Sequence, residues 1–195
     1  QKFGWERANW FAPEGVAQED DWSFRRSNWF EHVKNEALNV AENVGILDMT
    51  AFAKCRISGP GALDFLRSLL ANRLPRVGRI GLCHALNSRG GVHSEFTVVR
   101  EAPDSFYLVS AGAYQRLDHD WLKKHMPTDG SVRYDQMTNQ NGVLVIAGPK
   151  ARELMQRVSD ADFSNAAFPW LTAQQIDVGL APAMACRVNF VGELG

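Results

Sequence analysis

Two acidic residues of the 195-residue sequence sit where a carboxylate can do chemistry. The first is Glu95, in the stretch LNSRGGVHSEF that runs from Leu86 to Phe96. Gly90 and Gly91 supply the positive φ that a hairpin turn needs. After them the strand alternates. Val92, Ser94, Phe96 and Val98 fall on one face, and His93, Glu95, Thr97 and Val99 on the other. If that second face is covered, Glu95 is desolvated and needs a polar partner or a ligand, the setting of a general acid or base. If it is open, Glu95 points into water. His93 shares the Glu95 face by the same count; a half-exposed histidine is its alternative. The second acid is Glu193, in the closing stretch NFVGELG. The flanking glycines let backbone approach a ligand, and the carboxylate can accept two N–H donors from a heterocycle. A plain turn is the alternative.

Other motifs carry less. SGPGALD from Ser58 follows a strand and opens a helix, but Asp64 stands where a dinucleotide fingerprint needs its third glycine. A carboxylate there crowds the helix and repels a pyrophosphate, so the Gly-Pro corner is structural. Cys55, Cys83 and Cys186 are odd in number and far apart, with no CxxC spacing. They read as buried thiols in a reducing compartment. The histidines show no metal spacing, and no GxSxG elbow is present.

The elements that must position these residues follow from periodicity. Phe30, Val33, Ala37, Val40, Ala41 and Val44 form a helical stripe ended by Gly45. Ala53, Cys55 and Ile57 alternate with polar neighbours as a half-buried strand, and a helix follows the Gly59-Pro60 corner. Leu82–Asn87 and Val92–Arg100 make a hairpin. Phe106–Ser110 is a strand, Tyr114–Lys124 a helix, Val143–Ala147 an apolar strand with a helix behind Gly148-Pro149, and Met184–Phe190 a last strand. ISGPGALDFLRSL at residues 57–69 echoes IAGPKARELMQRV at 146–158. A repeated strand–corner–helix implies a duplicated α+β unit with helices on antiparallel sheet.

A net charge of −1 excludes the basic excess of a general nucleic-acid binder or a polybasic membrane module. No apolar run is long enough to span a membrane. The opening QKFGWERANW has no signal-peptide core and no initiator Met, and is expected to be part of a longer polypeptide. Residues 1–28 read as an extended arm whose Trp5, Trp10, Phe11 and Trp22 need burial on this chain or on a neighbouring domain. Residues 29–127 and 128–195 read as two α+β halves.

On ERANWF at Glu6–Phe11, the stretch from Ser27 to Leu66 containing LDMTAFAKCRISGPGA, LNSRGGVHSEFTVVR and VNFVGELG, the chain resembles the aminomethyltransferase (glycine-cleavage T-protein) family of folate-binding domains. It is most similar to the copy fused behind a flavin domain in dimethylglycine and sarcosine dehydrogenases. The resemblance implies duplicated, ferredoxin-like α+β units with antiparallel sheet around a folate channel. It also implies a flavin domain before the chain, carrying FAD, and a small β-barrel after it. By the same resemblance Glu95 stands where the family places an aspartate beside the reacting nitrogen of tetrahydrofolate. Glu193 would contact the pterin ring, and Phe190 and Phe52 would pack against it. Leu82 takes the place of a pterin-contacting tyrosine. The implied activity is demethylation of an N-methyl amine, with the one-carbon unit passed to tetrahydrofolate. A stand-alone aminomethyltransferase and a non-enzymatic folate-binding or docking module are the rival readings.

Overall fold

The computed structural model describes residues 4, 6, 8–189 and 192–195. Four helices and nine strands follow in the order α1 (Phe30–Glu42), β1 (Gly45–Asp48), β2 (Ala53–Ser58), α2 (Ala62–Leu69), β3 (Ile80–Leu86), β4 (Val92–Ala102), β5 (Ser105–Ser110), α3 (Gln115–His125), β6 (Arg133–Gln136), β7 (Leu144–Ala147), α4 (Ala151–Val158), β8 (Ala173–Val178) and β9 (Ala181–Cys186). The class is α+β, and every strand pair is antiparallel.

The central sheet has the order β3-β4-β5-β2-β6. Its two faces differ. Cys55, Ile57, Cys83, Phe96, Val98, Phe106 and Leu108 point to one side and pack against Phe65 and Leu66 of α2 and Leu122 of α3. Burial of the Ile, Val, Leu and Phe side chains among them, each stabilising by about 1.5–3 kcal/mol, holds the helices to the sheet. On the other side, Ile80, Val99 and Tyr107 are covered by Leu171, Met184 and Cys186 at the β8–β9 hairpin. That cover stops short of the β3–β4 turn, where Leu82, Leu86 and Val92 stay exposed.

The sequence echo is an architectural repeat. β2 and β7 each run into a Gly-Pro corner and an eight-residue helix. Gly59 and Gly148 both take positive φ, and each accepts the first N–H of its helix at 2.9 Å, from Ala62 and Ala151. Strands also cross between the two halves of the chain: β6 joins the central sheet beside β2, and β1 pairs with β7.

Several sequence expectations change. Gly45 opens β1 rather than ending α1, which stops at Glu42 with Asn43 as its cap. No residue of α1 is buried, so its stripe has no full cover. The strand expected over Met184–Phe190 ends at Cys186. In the arm, Trp10 Nε1 donates to Asp20 at 2.8 Å and the Trp10 ring stacks on His32. Phe11, Trp22 and Phe24 remain exposed, so among the arm's described aromatics Trp10 alone is partly covered by this chain. Trp5 lies outside the described residues.

Candidate functional site

The β3–β4 hairpin is built by its turn. Asn87 Oδ1 accepts the N–H groups of Arg89 at 2.9 Å and Gly91 at 3.1 Å, while Gly90 takes a φ of 80°. An Asn side chain that caps its own turn and a glycine free to adopt positive φ fix the loop locally.

A β-bulge then resets the register. Leu86 pairs with Val92, but Ala85 pairs with Ser94, leaving His93 as the extra residue. Val92 therefore parts from Ser94 and lies with Leu86 on the exposed side; both are open to solvent. His93 turns toward the helices, where its ring stacks on Trp121 of α3 at 3.8 Å between centroids and Nδ1 lies 2.9 Å from Ser94 Oγ. The expectation that His93 shares the Glu95 face is corrected. An unbroken alternation was assumed, and one inserted residue breaks it.

The histidine that meets Glu95 is His84. It stands directly opposite across the ladder, with Nε2 3.0 Å from Glu95 Oε2. Asn72 Oδ1 accepts the backbone N–H of His84 at 2.8 Å and lies 3.2 Å from ring Nδ1. Asn72 is itself tied to β3, because Ala71 N–H donates to His84 O at 2.9 Å and Leu70 bridges to Ala85. Glu95 is not enclosed: its side chain is 62% exposed, against 26% for His84. Of the two settings open to Glu95, the structure shows the uncovered one, an open shelf. Leu82, opposite Thr97 on the same face and 54% exposed, supplies its apolar part.

Phe52 and Glu193, two other sequence candidates, lie on segments outside the β3–β4 hairpin. Phe52 is half-buried, just before β2, with its N–H donating to Met49 O. Glu193 is half-buried beside the end of β7, where Gly148 N–H donates to Leu194 O at 2.9 Å. Phe190 lies outside the described residues. The structure brings Glu95 and Leu82 together and adds His84 and Asn72.

On the shelf face, further from the turn, Lys54 is 2% exposed and donates from Nζ to Thr50 O at 2.6 Å. Burial pushes its ammonium below the usual lysine range, partly offset by Asp48. The Gly-Pro corner after β2 holds no phosphate cradle. A Cβ at Gly61 would fall 2.5 Å from Ser131 Oγ and 3.2 Å from Val132, so the space is filled by the chain itself. Among the described residues no group of three or more His, Cys, Asp or Glu side chains is placed to hold a metal ion. No helix among them is long and apolar enough to cross a membrane.

The family model described as the GCVT N-terminal domain matches residues 1–195. Mouse dimethylglycine dehydrogenase, a mitochondrial protein, is 35% identical over 193 residues, which is 98% of this chain and 22% of that protein. The formaldehyde-forming 4-methylaminobutanoate oxidase of Paenarthrobacter nicotinovorans is 31% identical over 193 residues, 98% of this chain and 23% of that protein. The chain thus spans about a fifth of the length of these curated relatives. The crystal structure of the glycine cleavage system aminomethyltransferase T from Bartonella henselae superposes with a TM-score of 0.69 at 21% identity, covering 82% of this chain and 42% of that one. At that identity the likeness establishes the fold alone.

Proposed function

Since the chain belongs to the GCVT N-terminal domain family, we propose that it is the tetrahydrofolate-binding part of a flavin-linked N-methyl amine demethylase. The observation that carries this reading is the 35% identity to dimethylglycine dehydrogenase over 98% of the chain. FAD, on this reading, belongs to a flavin domain elsewhere in the polypeptide, as the chain spans only 22% of the dimethylglycine dehydrogenase it resembles. On this reading the protein works in the cytoplasm, or in the matrix of a eukaryote.

The shelf fits the ring of tetrahydrofolate in character. It sets exposed apolar surface, Leu82, Leu86 and Val92, beside a carboxylate already paired to a histidine. A flat heterocycle with N–H groups requires that combination of hydrophobic contact and acceptor. Tetrahydrofolate, when bound, supplies the nitrogens that take up the one-carbon unit. Glu95 orients the attacking nitrogen, accepts its proton and offsets positive charge on the carbon being attacked. On this reading Leu82, Phe52 and Phe190 carry the ring contacts. Glu193 accepts N–H bonds from the pterin. Closure over the exposed Glu95 comes from other parts of the polypeptide, and desolvation then strengthens each of these interactions.

The test is a titration of the full-length protein with tetrahydrofolate, followed by single-turnover transfer from an N-methyl amine. Binding with transfer, and loss of transfer by about 100-fold or more in Glu95→Ala, is the expected result. Absence of tetrahydrofolate binding sinks the reading, and unchanged transfer in Glu95→Ala removes Glu95 from the mechanism. A second reading, a folate-binding or docking module without turnover, draws on the 62% exposure of the Glu95 side chain. Binding without transfer for any N-methyl amine selects it.

A further inference from the structure

We infer that Asn72 and His84 form a positioning relay that holds the Glu95 carboxylate in one orientation, so that Oε2 is engaged and Oε1 faces the reacting nitrogen. This rests on the reading in which Glu95 is the reacting carboxylate. The relay itself follows from hydrogen-bond bookkeeping. The backbone N–H of His84 needs an acceptor, which fixes the Asn72 side-chain oxygen, rather than its nitrogen, against β3. That same oxygen lies 3.2 Å from His84 Nδ1. An amide oxygen only accepts, so Nδ1 carries the hydrogen. Nε2 then faces a carboxylate oxygen at 3.0 Å. At that distance a hydrogen bond joins Nε2 and Oε2 and holds that carboxylate oxygen in place.

A glutamate with a largely exposed side chain and three rotatable bonds samples many orientations. Fixing Oε2 removes most of them. The relay is anchored on backbone at both ends. Asn72 is held by the Leu70–Ala85 bridge and the Ala71–His84 hydrogen bond, and Glu95 by the β3–β4 ladder. This lets the longer side chain of glutamate meet a geometric demand that small misplacements would defeat.

The experiment uses the full-length protein with 15N-labelled histidine, native and as His84→Ala, His84→Gln, Asn72→Ala and Glu95→Gln. Ring resonances of His84 are read by NMR. Tetrahydrofolate affinity and single-turnover transfer are read in parallel. The expected spectrum shows a protonated Nδ1 in the native protein, lost or shifted in Asn72→Ala, and an Nε2 resonance displaced in Glu95→Gln. His84→Ala is expected to keep tetrahydrofolate affinity within about threefold while slowing transfer about 10- to 100-fold. His84→Gln, whose amide still donates to Glu95, is expected to recover part of that rate, which a purely structural role would not produce. Transfer in His84→Ala within twofold of native overturns the relay, as does an Nε2 resonance unmoved by Glu95→Gln. A native protein that neither binds nor transfers overturns the proposed function and the catalytic use of the relay together. The two failures are distinguishable, because the ring resonances still report whether the hydrogen-bonded pair exists.

Discussion

Gly59 and Gly148, 89 positions apart, occupy the same place in two copies of one corner, with φ values of 112° and 126°. Both also lie in close approach to backbone. A Cβ at Gly59 would sit 2.5 Å from Ser131 O, and one at Gly148 would sit 2.6 Å from both Asn43 O and Val40 O. Gly59→Ala and Gly148→Ala are each expected to cost about 2–4 kcal/mol, from steric conflict added to an unfavourable backbone conformation. Gly90→Ala is the control. Its φ is also positive, at 80°, but nothing lies within 4 Å of the added carbon, so about 1 kcal/mol is expected. Urea denaturation of the three variants checks the order.

Alkaline pH should loosen the fold through its thiols. Burial, with a contribution from Asp118, pushes the Cys55 thiol up from 9.0 to about 12, and burial pushes Cys186 up to about 11. Below pH 9 both groups stay protonated, folded or unfolded. Above it the unfolded chain releases protons that the folded chain retains, so stability falls by roughly 1.4 kcal/mol per pH unit for each thiol until the folded value is reached. Cys55→Ala should flatten the decline in urea midpoint between pH 9 and 10.5, under reducing conditions and relative to native protein. An equal slope in the variant would contradict the assignment.

Arg56 and Glu101 form a two-pronged ion pair across the central sheet. Nε reaches Oε2 at 2.7 Å and Nη2 reaches Oε1 at 2.8 Å, with Ser105 Oγ donating to Oε2 at 3.1 Å. The Glu101 side chain is only 18% exposed, so its loss leaves a partly desolvated guanidinium without its acceptor. Glu101→Ala is expected to cost about 2–3 kcal/mol, against under about 1 kcal/mol for Asp120→Ala, whose pairing with Arg116 is at the surface. Thermal denaturation at two salt concentrations checks both, and little salt dependence is expected at Glu101.

Leu82 offers a gain-of-contact prediction. It stands on the Glu95 face, half exposed, two residues before His84. Leu82→Tyr adds a ring and a hydroxyl there. On the folate reading it should tighten tetrahydrofolate binding about three- to tenfold by calorimetry, with little change in thermal stability. Unchanged or weaker affinity would mean that the ligand does not contact this edge of the shelf.

Much of the scaffold is legible from residue order. The two Gly-Pro corners, the turn around Gly90 and the alternation of β2 each have a local cause, so composition and spacing suffice. β1, β6 and β8 escape notice because they draw on partners instead. The four residues of β6, Arg133–Gln136, have no usable periodicity and become a strand only by pairing with β2. The Glu95 partner escapes for a related reason. Alternation on each strand puts His84 and Glu95 on the same outward face, since Cys83, Ala85, Ser94 and Phe96 are the buried ones. Which residue faces which is set by the bulge. Without the extra His93, the Leu86–Val92 register would carry His84 to Ser94 and Glu95 to Cys83. A one-residue irregularity is invisible to a period of two, yet it turns one histidine inward and hands the acid another.

The exchange of strands ties the two expected halves, 29–127 and 128–195, to each other. With β6 closing the sheet beside β2, and β1 finding its only ladder partner among the described strands in β7, neither half is a separable module. A protease nick in the connection between α3 and β6 would leave two pieces still interlocked. During synthesis the earlier half must wait, edges unpaired, until about 20 more residues than α3 itself have emerged from the ribosome.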